Sequence, residues 1–338
     1  MKTFKTLLSK TQFYVLLIII VYSIVVAATN PAFATVQNAF DIARAASVTM
    51  ILAFGVMLVL ISGGIDVSFA IVAVFSAYAS IMFIKATGLD NLVVAFIVSA
   101  AVGALLGLLN VTIIHFFKLP VFIATLGTQS MLIGLMAITL GTEVINTPQM
   151  PSCFVDFGTA KLITVQLENG QQYGLSVFII PVIIIGVAIW FILNRTRIGR
   201  SVIAIGNSVE AAKRAGYDLF KTRLFIFVTV GVLASVAGVI YVSEAAWVSP
   251  LTNNLVGGTE LLTIAAVVIG GTKLTGGYGT VGGTVLGVIL IKLFSTTLIF
   301  LGLSTSWNNL FTGLVLLGCI VITALNTRYM RKKLLLFN

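Results

Sequence analysis

Charge is what this 338-residue chain has least of: Asp, Glu, Lys and Arg make up 9% of it, with 10 acidic residues and one histidine, His115. Soluble domains carry about 25% charged residues, so a solvated globule is excluded. A mean hydropathy of +1.14 excludes it again, because that much apolar surface exceeds what one soluble core can hide. Cysteine is nearly absent. Cys153 and Cys319 have no neighbouring Cys or His at metal-ligand spacing, which leaves no disulfide framework and no metal site. The dipeptide Gly-Lys occurs nowhere, so the phosphate-cradling loop GxxxxGK[ST] cannot form and no ATP is hydrolysed by that machinery here. HExxH and GxSxG are missing too, and a lone His at the end of an apolar run reads as an interfacial side chain rather than a base. The net charge of +10 suggests nucleic acid only until its placement is considered: the basic residues lie between or beside apolar runs, not on one face of a soluble module. No nucleic-acid partner is expected.

What the chain does have is apolar runs. They fall near residues 13–29, 47–62, 67–84, 92–117, 121–140, 177–193, 224–242, 260–274, 281–302 and 307–326. A full crossing needs about 20 residues, so several must be tilted, broken or shielded by protein. The expected fold is an all-α polytopic membrane protein of about ten transmembrane helices, a single domain over residues 1–338. It divides into six spans over 13–193, a polar loop over 194–223 and four spans over 224–326. Lys2, Lys5 and Lys10 precede a first run longer than a signal-peptide core, so this run is read as a retained span.

Basic residues in the loops set the orientation. With a cytoplasmic N-terminus and ten crossings, 16 of the 20 Lys and Arg face the cytoplasm. Arg44, Lys85 and Lys161 fall outside, and Lys292 lies within a span. Both termini and the 194–223 loop are therefore expected inside. Ten crossings also divide into two five-helix halves of opposite orientation, an arrangement that commonly encloses a transport path. Glycine-rich interruptions occur in both halves, ISGGIDVS at 61–68 and IGGTKLTGGYGTVGG at 269–283, and are read as helix breaks near that path. Gly64 is read as a positive-φ position. Asp66, following the Gly63-Gly64 pair, is either an intramembrane functional group or a cap for the next helix. The long external loop contains KLITVQLENGQQY, whose alternation at Ile163, Val165 and Leu167 before Asn169-Gly170 predicts a hairpin.

The inside loop carries GNSVEAAKRAG, residues 206–216. Asn207 and Glu210 are spaced as a capping box, Ala211, Ala212, Lys213 and Arg214 favour helix, and Gly216 suits its end. A short polar helix with a small alanine face is either a solvated linker or a docking element.

With these features in view, the chain resembles the membrane permease subunits of bacterial ABC sugar importers, in the branch containing ribose, xylose, galactose and autoinducer-2 permeases. The resemblance rests on SGGIDVS (62–68), ATLGTQSMLIGL (124–135), TRIGRSVIAIGNSVEAAKRAG (196–216) and ELLTIAAVVIGGTKLTGGYGTVGGTVLG (260–287), in order along most of the chain. It implies that EAAKRAG is a coupling helix, with Asn207, Glu210, Ala211, Ala212, Lys213, Arg214 and Gly216 toward a separate ATP-binding subunit. It also implies an external solute-binding protein, a second permease copy or a paralogue, surrounding membrane lipid, and ATP used by the partner with no cofactor on this chain. Phe69-Ala70 departs from the smaller ending common in the family after Asp66. Candidate pathway residues are Gly63, Gly64, Asp66, Ser68, Phe69, Phe122, Thr125, Thr128 and Gln129, since a sugar needs hydrogen-bonding and ring-stacking side chains. An ion-coupled carrier is the alternative. It would need paired intramembrane charges, and the candidates are few: Asp66, His115, Glu244, Glu260 and Lys292.

Overall fold

The computed structural model describes residues 11–140, 143–166, 172–249 and 258–298, with most positions between 300 and 321. Among the described residues there are twelve α-helices and one hairpin. The first five helices are α1 (Thr11–Thr29), α2 (Val36–Ile61), α3 (Phe69–Thr87), α4 (Leu92–Phe116) and α5 (Val121–Thr139). A short α6 (Ser152–Thr159) then leads into an antiparallel hairpin of β1 (Lys161–Gln166) and β2 (Gln172–Ser176). The chain continues through α7 (Ile179–Arg195), α8 (Arg197–Asn207), α9 (Val209–Arg214), α10 (Leu219–Ala245), α11 (Thr259–Ile269) and α12 (Val281–Thr297).

Six of these helices, α1 to α5 and α10, are long and apolar enough to cross a membrane, and a seventh crossing is available from α7, bent by 73° into α8. Nine of the ten apolar runs thus coincide with a helix, while most of 307–326 lies outside the described residues. The hairpin is real, so the chain is not purely helical; its Asn169-Gly170 turn also lies outside the described residues.

Side-chain contacts sort the helix ends onto two faces. The near face carries α8 and α9; there Gln12 at the start of α1 donates to Thr280 Oγ1 beside α12, and His115 at the end of α4 packs on Phe220 at the start of α10. On the far face Asn30 reaches the Phe300 carbonyl, Ile145 bridges Val248, and Asp90 contacts Ser152. Successive long helices alternate between the two faces.

Lipid tails are as apolar as leucine, so burying more leucine does little to associate helices in a bilayer; close backbone approach and hydrogen bonds do more. The α4–α10 pair follows that rule. Gly103 and Gly107, one turn apart on α4, face Gly231 and the Phe227 carbonyl on α10, and a Cβ on Gly107 would stand 2.3 Å from that carbonyl oxygen. Ser99 adds a hydrogen bond to the Ser235 carbonyl. α2 and α10, of 26 and 27 residues, form the centre of the bundle. At about 1.5 Å per residue each exceeds the roughly 30 Å hydrocarbon layer.

On the far face the residue that precedes α6 at its N-cap is Pro151, which has no side-chain acceptor to offer. Asp90, from the α3–α4 connection, fills that role: Oδ2 accepts from Ser152 N (2.9 Å) and Oγ (2.6 Å), and Oδ1 from Cys153 N (3.0 Å). Hydrogen bonds from Cys153 and Ser152 hold the Asp90 carboxyl down at about 2, while burial and the adjacent carboxylate push the Cys153 thiol up to about 12. A folded-state value below the ordinary carboxylate value of about 3.9 gives stabilisation that is present above that pH and lost as pH falls through about 2. Amide protection in residues 152–159 should therefore weaken between about pH 4 and pH 2 in hydrogen exchange. Asp90→Asn should remove that step; a variant with an unchanged pH profile would assign the protection to other contacts.

Candidate functional site

The polar loop is built as a bent arm. α7 ends at Arg195, Thr196 caps α8 by accepting from Gly199 N, and α8 leaves at 73° with Arg197 and Arg200 exposed while Val202 and Ile205 face the bundle. α9 follows after an extended Ser208. The capping box expected at Asn207 and Glu210 is displaced by one residue: Ser208 Oγ accepts from Ala211 N at 3.2 Å, and Asn207 is the last residue of α8, its amide donating to the Ile203 carbonyl. A serine outcompetes the asparagine because α8 extends through Asn207 and leaves it no extended backbone from which to cap. At the other end Gly216 (φ +81) donates to Lys213 O and Tyr217 to Ala212 O, closing the helix as a Schellman turn.

The alanine face is also divided. Ala212 is 2% exposed and packs into its own chain, whereas Glu210, Ala211, Lys213, Arg214 and Gly216 are exposed. In this six-residue helix Ala212 is the one buried residue, the position that turns inward against the bundle. It is therefore removed from the set available to a partner.

Both glycine interruptions arrive beneath this arm. α2 ends in a Schellman turn at Gly63 (φ +84), with Gly63 N to Leu60 O and Gly64 N to Val59 O; α11 ends in the same way at Gly271, with Gly271 N to Val268 O and Thr272 N to Val267 O. The two loops touch: Gly277 N donates to Ile61 O at 2.8 Å. Gly206, at the end of α8, lies between them, where an added Cβ would be 1.8 Å from Ile61 O and 2.5 Å from Gly277 N. Gly64 does not have positive φ; it is constrained by Val121, whose Cγ2 would lie 2.9 Å from its Cβ.

Beyond Gly64 the chain turns into the bundle. Asp66 is 2% exposed, and its Oδ1 accepts from Ser68 N and Ser68 Oγ, both at 2.7 Å, in a turn that sets the entry of α3. Asn110 of α4 donates to Ser68 Oγ at 2.9 Å, and Thr125 of α5 accepts from Val67 N. Asn110 Oδ1 is buried without a hydrogen-bond partner among the described residues. The void beside Asp66, Ser68, Phe69 and Asn110 measures about 10 Å³, room for about one water and none for a sugar. Thr128 bonds back to the Ala124 carbonyl. Ser68 and Thr125 thus tie neighbouring segments together, while Thr128 bonds within its own helix.

Two of the nine candidate pathway side chains stand apart from that interior. Phe122 is 47% exposed, and Gln129 donates to Glu260 Oε1 at 3.1 Å. Glu260 is buried at the start of α11, and its Oε2 accepts from Gly258 N. With 11 residues, α11 is only about 16 Å long. This pair therefore sits well inside the bundle, about half a membrane thickness from the near-face glycine loops. A cavity of about 710 Å³ between α2, α7 and α12 is the wrong chemistry for a sugar, being lined by apolar side chains such as Met50, Phe54, Ile183 and Trp190.

A family model described as the permease component of the branched-chain amino acid transport system matches residues 38–320, which includes α9, both glycine loops and the Gln129–Glu260 pair. The chain belongs to this permease family. The permease is 31% identical over 314 residues to the ribose import permease protein RbsC of Escherichia coli K12, covering 91% of this chain and 92% of that one. It is 31% identical over 321 residues to the autoinducer 2 import system permease protein LsrC of Enterobacter sp. strain 638, covering 94% and 88%. With the galactose/methyl galactoside import permease protein MglC of E. coli K12 it shares 28% over 342 residues and 98% of each chain. No solved structure matches. The permease is thus a multi-pass transport subunit of an importer, and not an enzyme.

Sequence reasoning missed one residue of the permease's interior, Asn110, and the partner of another, Glu260. Asn110 carried a usable signal, an amide in a 25-residue helix otherwise almost wholly apolar. Glu260 was visible as an intramembrane acid, but its pairing with Gln129 spans 131 positions and leaves no local pattern. Of the other charges, Glu244 pairs with Arg44 at 3.6 Å, a bond between α10 and α2.

Proposed function

We propose that the permease forms the translocation path of an ATP-driven importer for a monosaccharide or a similarly small polyhydroxylated solute, with a separate ATPase docked on α9. The observation that carries the reading is the exposed polar face of a capped helix, Glu210, Ala211, Lys213 and Arg214, beneath the bundle with no ion pair to its own chain among the described residues. The relatives named for ribose, galactose and autoinducer 2 support a polyhydroxylated substrate. An external solute-binding protein would deliver it.

The chain would cross the bilayer ten times, with both termini and α9 in the cytoplasm, in two inverted halves of five spans. Inversion pairs the second span with the seventh, and α2 and α10 are the two longest helices. It then pairs Asp66, before the third span, with Glu260, at the start of the eighth. The two glycine loops are not counterparts under this inversion, because both open on the near face. A second copy or a paralogue would cover α5. That helix buries a stripe at Ala124, Thr128, Leu132 and Met136, and leaves Phe122, Ile123, Leu126, Met131 and Ile138 exposed. The solute would then pass along α5 near Gln129 and Glu260.

Reconstitution tests the class. Proteoliposomes holding the permease and its ATPase should take up solute only with ATP and loaded binding protein, while a proton or sodium gradient across vesicles of the permease alone should drive none. Gradient-driven uptake would favour the ion-coupled carrier. Topology is tested by cysteine labelling in intact cells with Cys319 replaced by serine, since the raised Cys153 thiol is a poor nucleophile. An impermeant maleimide should mark Leu162→Cys and leave Lys213→Cys unmarked; the reverse would place α9 outside and end the coupling assignment.

A further inference from the structure

Three connections of the chain meet at one point under the bundle: the α2–α3 loop at Gly63, the α11–α12 loop at Gly276 and Gly277, and the α8–α9 corner at Gly206. The contacts are backbone against backbone. Besides the Gly277 N to Ile61 O bond, a Cβ on Gly276 would lie 2.7 Å from Gly206 O and 2.9 Å from Gly63 N and Cα. Gly276, at φ +86, and Gly277, at φ +78, have a conformational reason to be glycine. Gly206 has none. It is the penultimate residue of α8, where alanine is the better helix former, so close approach is what requires glycine there.

We propose that this contact is the joint through which movement of α9 reaches both glycine loops, with Gly206 and Gly277 as positioning residues for transport. The inference rests on the docking role of α9 and goes beyond it by naming the mechanical path. Only Asn207 and Ser208 separate Gly206 from α9, and Ser208 is extended, so a displaced α9 moves the joint directly. Backbone contacts have no rotamer through which to slacken. From the joint one route leads through Gly64 and Asp66 into α3, and the other along α11 to Glu260 and Gln129. Asn207 belongs to the joint and not to the docking face, because its side chain covers Gly277: a Cβ there would be 2.3 Å from Oδ1, 2.6 Å from Cγ and 2.9 Å from Nδ2.

The test is the ratio of solute imported to ATP hydrolysed by the complete complex in proteoliposomes. Gly206→Ala should assemble with the ATPase and keep basal hydrolysis, yet lose at least about tenfold in uptake and lose the stimulation of hydrolysis by loaded binding protein. A parental ratio in an assembled Gly206→Ala complex overturns the joint. Failure of the parental chain to bind an ATPase at all overturns the docking reading instead. If Gly206→Ala does not insert, a second pair decides. Gly277→Ala should uncouple in the same way, and adding Asn207→Ala, which removes the three nearest crowding atoms and leaves only the positive-φ strain, should raise uptake at least about threefold above Gly277→Ala alone. Uncoupling without that recovery refutes the assignment, since a general folding defect at Gly277 would not be relieved by truncating its neighbour.

Discussion

Arginine at Ala211 should release the ATPase from an otherwise intact permease, whereas arginine at Ala212 should damage the permease itself. Ala211 is exposed on α9 one residue from Ala212, which is 2% exposed. At the docked interface a guanidinium at position 211 would lie against the partner without a counter-charge, which costs on the order of a few kcal/mol. Each 1.4 kcal/mol is tenfold in affinity, so binding should fall roughly 10²-fold while insertion and thermal stability stay parental. Arginine is nearly as good a helix former as alanine, so α9 should persist. At position 212 the same side chain has to enter the packing beneath α9, and the expected result is lower yield and a less stable purified protein. Co-purification of the ATPase with each variant separates them. If Ala211→Arg retains its ATPase and transports at the parental rate, α9 is a solvated linker.

Removing the Asp66 carboxylate should abolish transport, and restoring a neutral oxygen should return most of it. In Asp66→Ala the Ser68 N–H and hydroxyl lose their shared acceptor in a buried site, on the order of 1–3 kcal/mol for each stranded group. The entry of α3 then keeps only the Val67 N bond to Thr125, and Asn110 loses a fixed partner on Ser68. Uptake should fall more than about tenfold, with some loss of stability. Asp66→Asn keeps an Oδ1 acceptor of the same shape, so uptake within about threefold of the parent is expected. Asparagine as damaging as alanine would mean that the charge itself acts in transport, and would return Asp66 to the pathway. Gly64→Val should fail by a different route, through the clash with Val121, and Val121→Ala should relieve it.

The sequence by itself determined the class. Nine apolar runs coincide with helices, though the helix over the second run begins at Val36, eleven residues before the run does; runs of that length have no other way to satisfy their backbone in lipid. The turn chemistry of 206–216 was equally legible, since capping and Schellman turns depend on neighbours along the chain. The predicted cap was one residue off because nothing local says where α8 stops.

Tertiary structure decided what each of those parts touches. Ala211 and Ala212 are chemically identical and adjacent; only the packing of α9 on the bundle makes one a surface and the other a core residue. The two glycine loops looked like separate breaks in separate halves, and it is the alternation of the helices that brings both to the near face against Gly206. Ser68 and Thr125 carry polar groups a sugar site needs, yet folding pairs both inside the bundle, and Thr128 is buried with its hydroxyl on its own helix carbonyl. Gln129 instead meets Glu260 across 131 residues. Local propensity follows from a residue and its neighbours, whereas a hydrogen bond or a 1.8 Å exclusion follows from where two distant backbones are placed, and only the assembled bundle sets that distance.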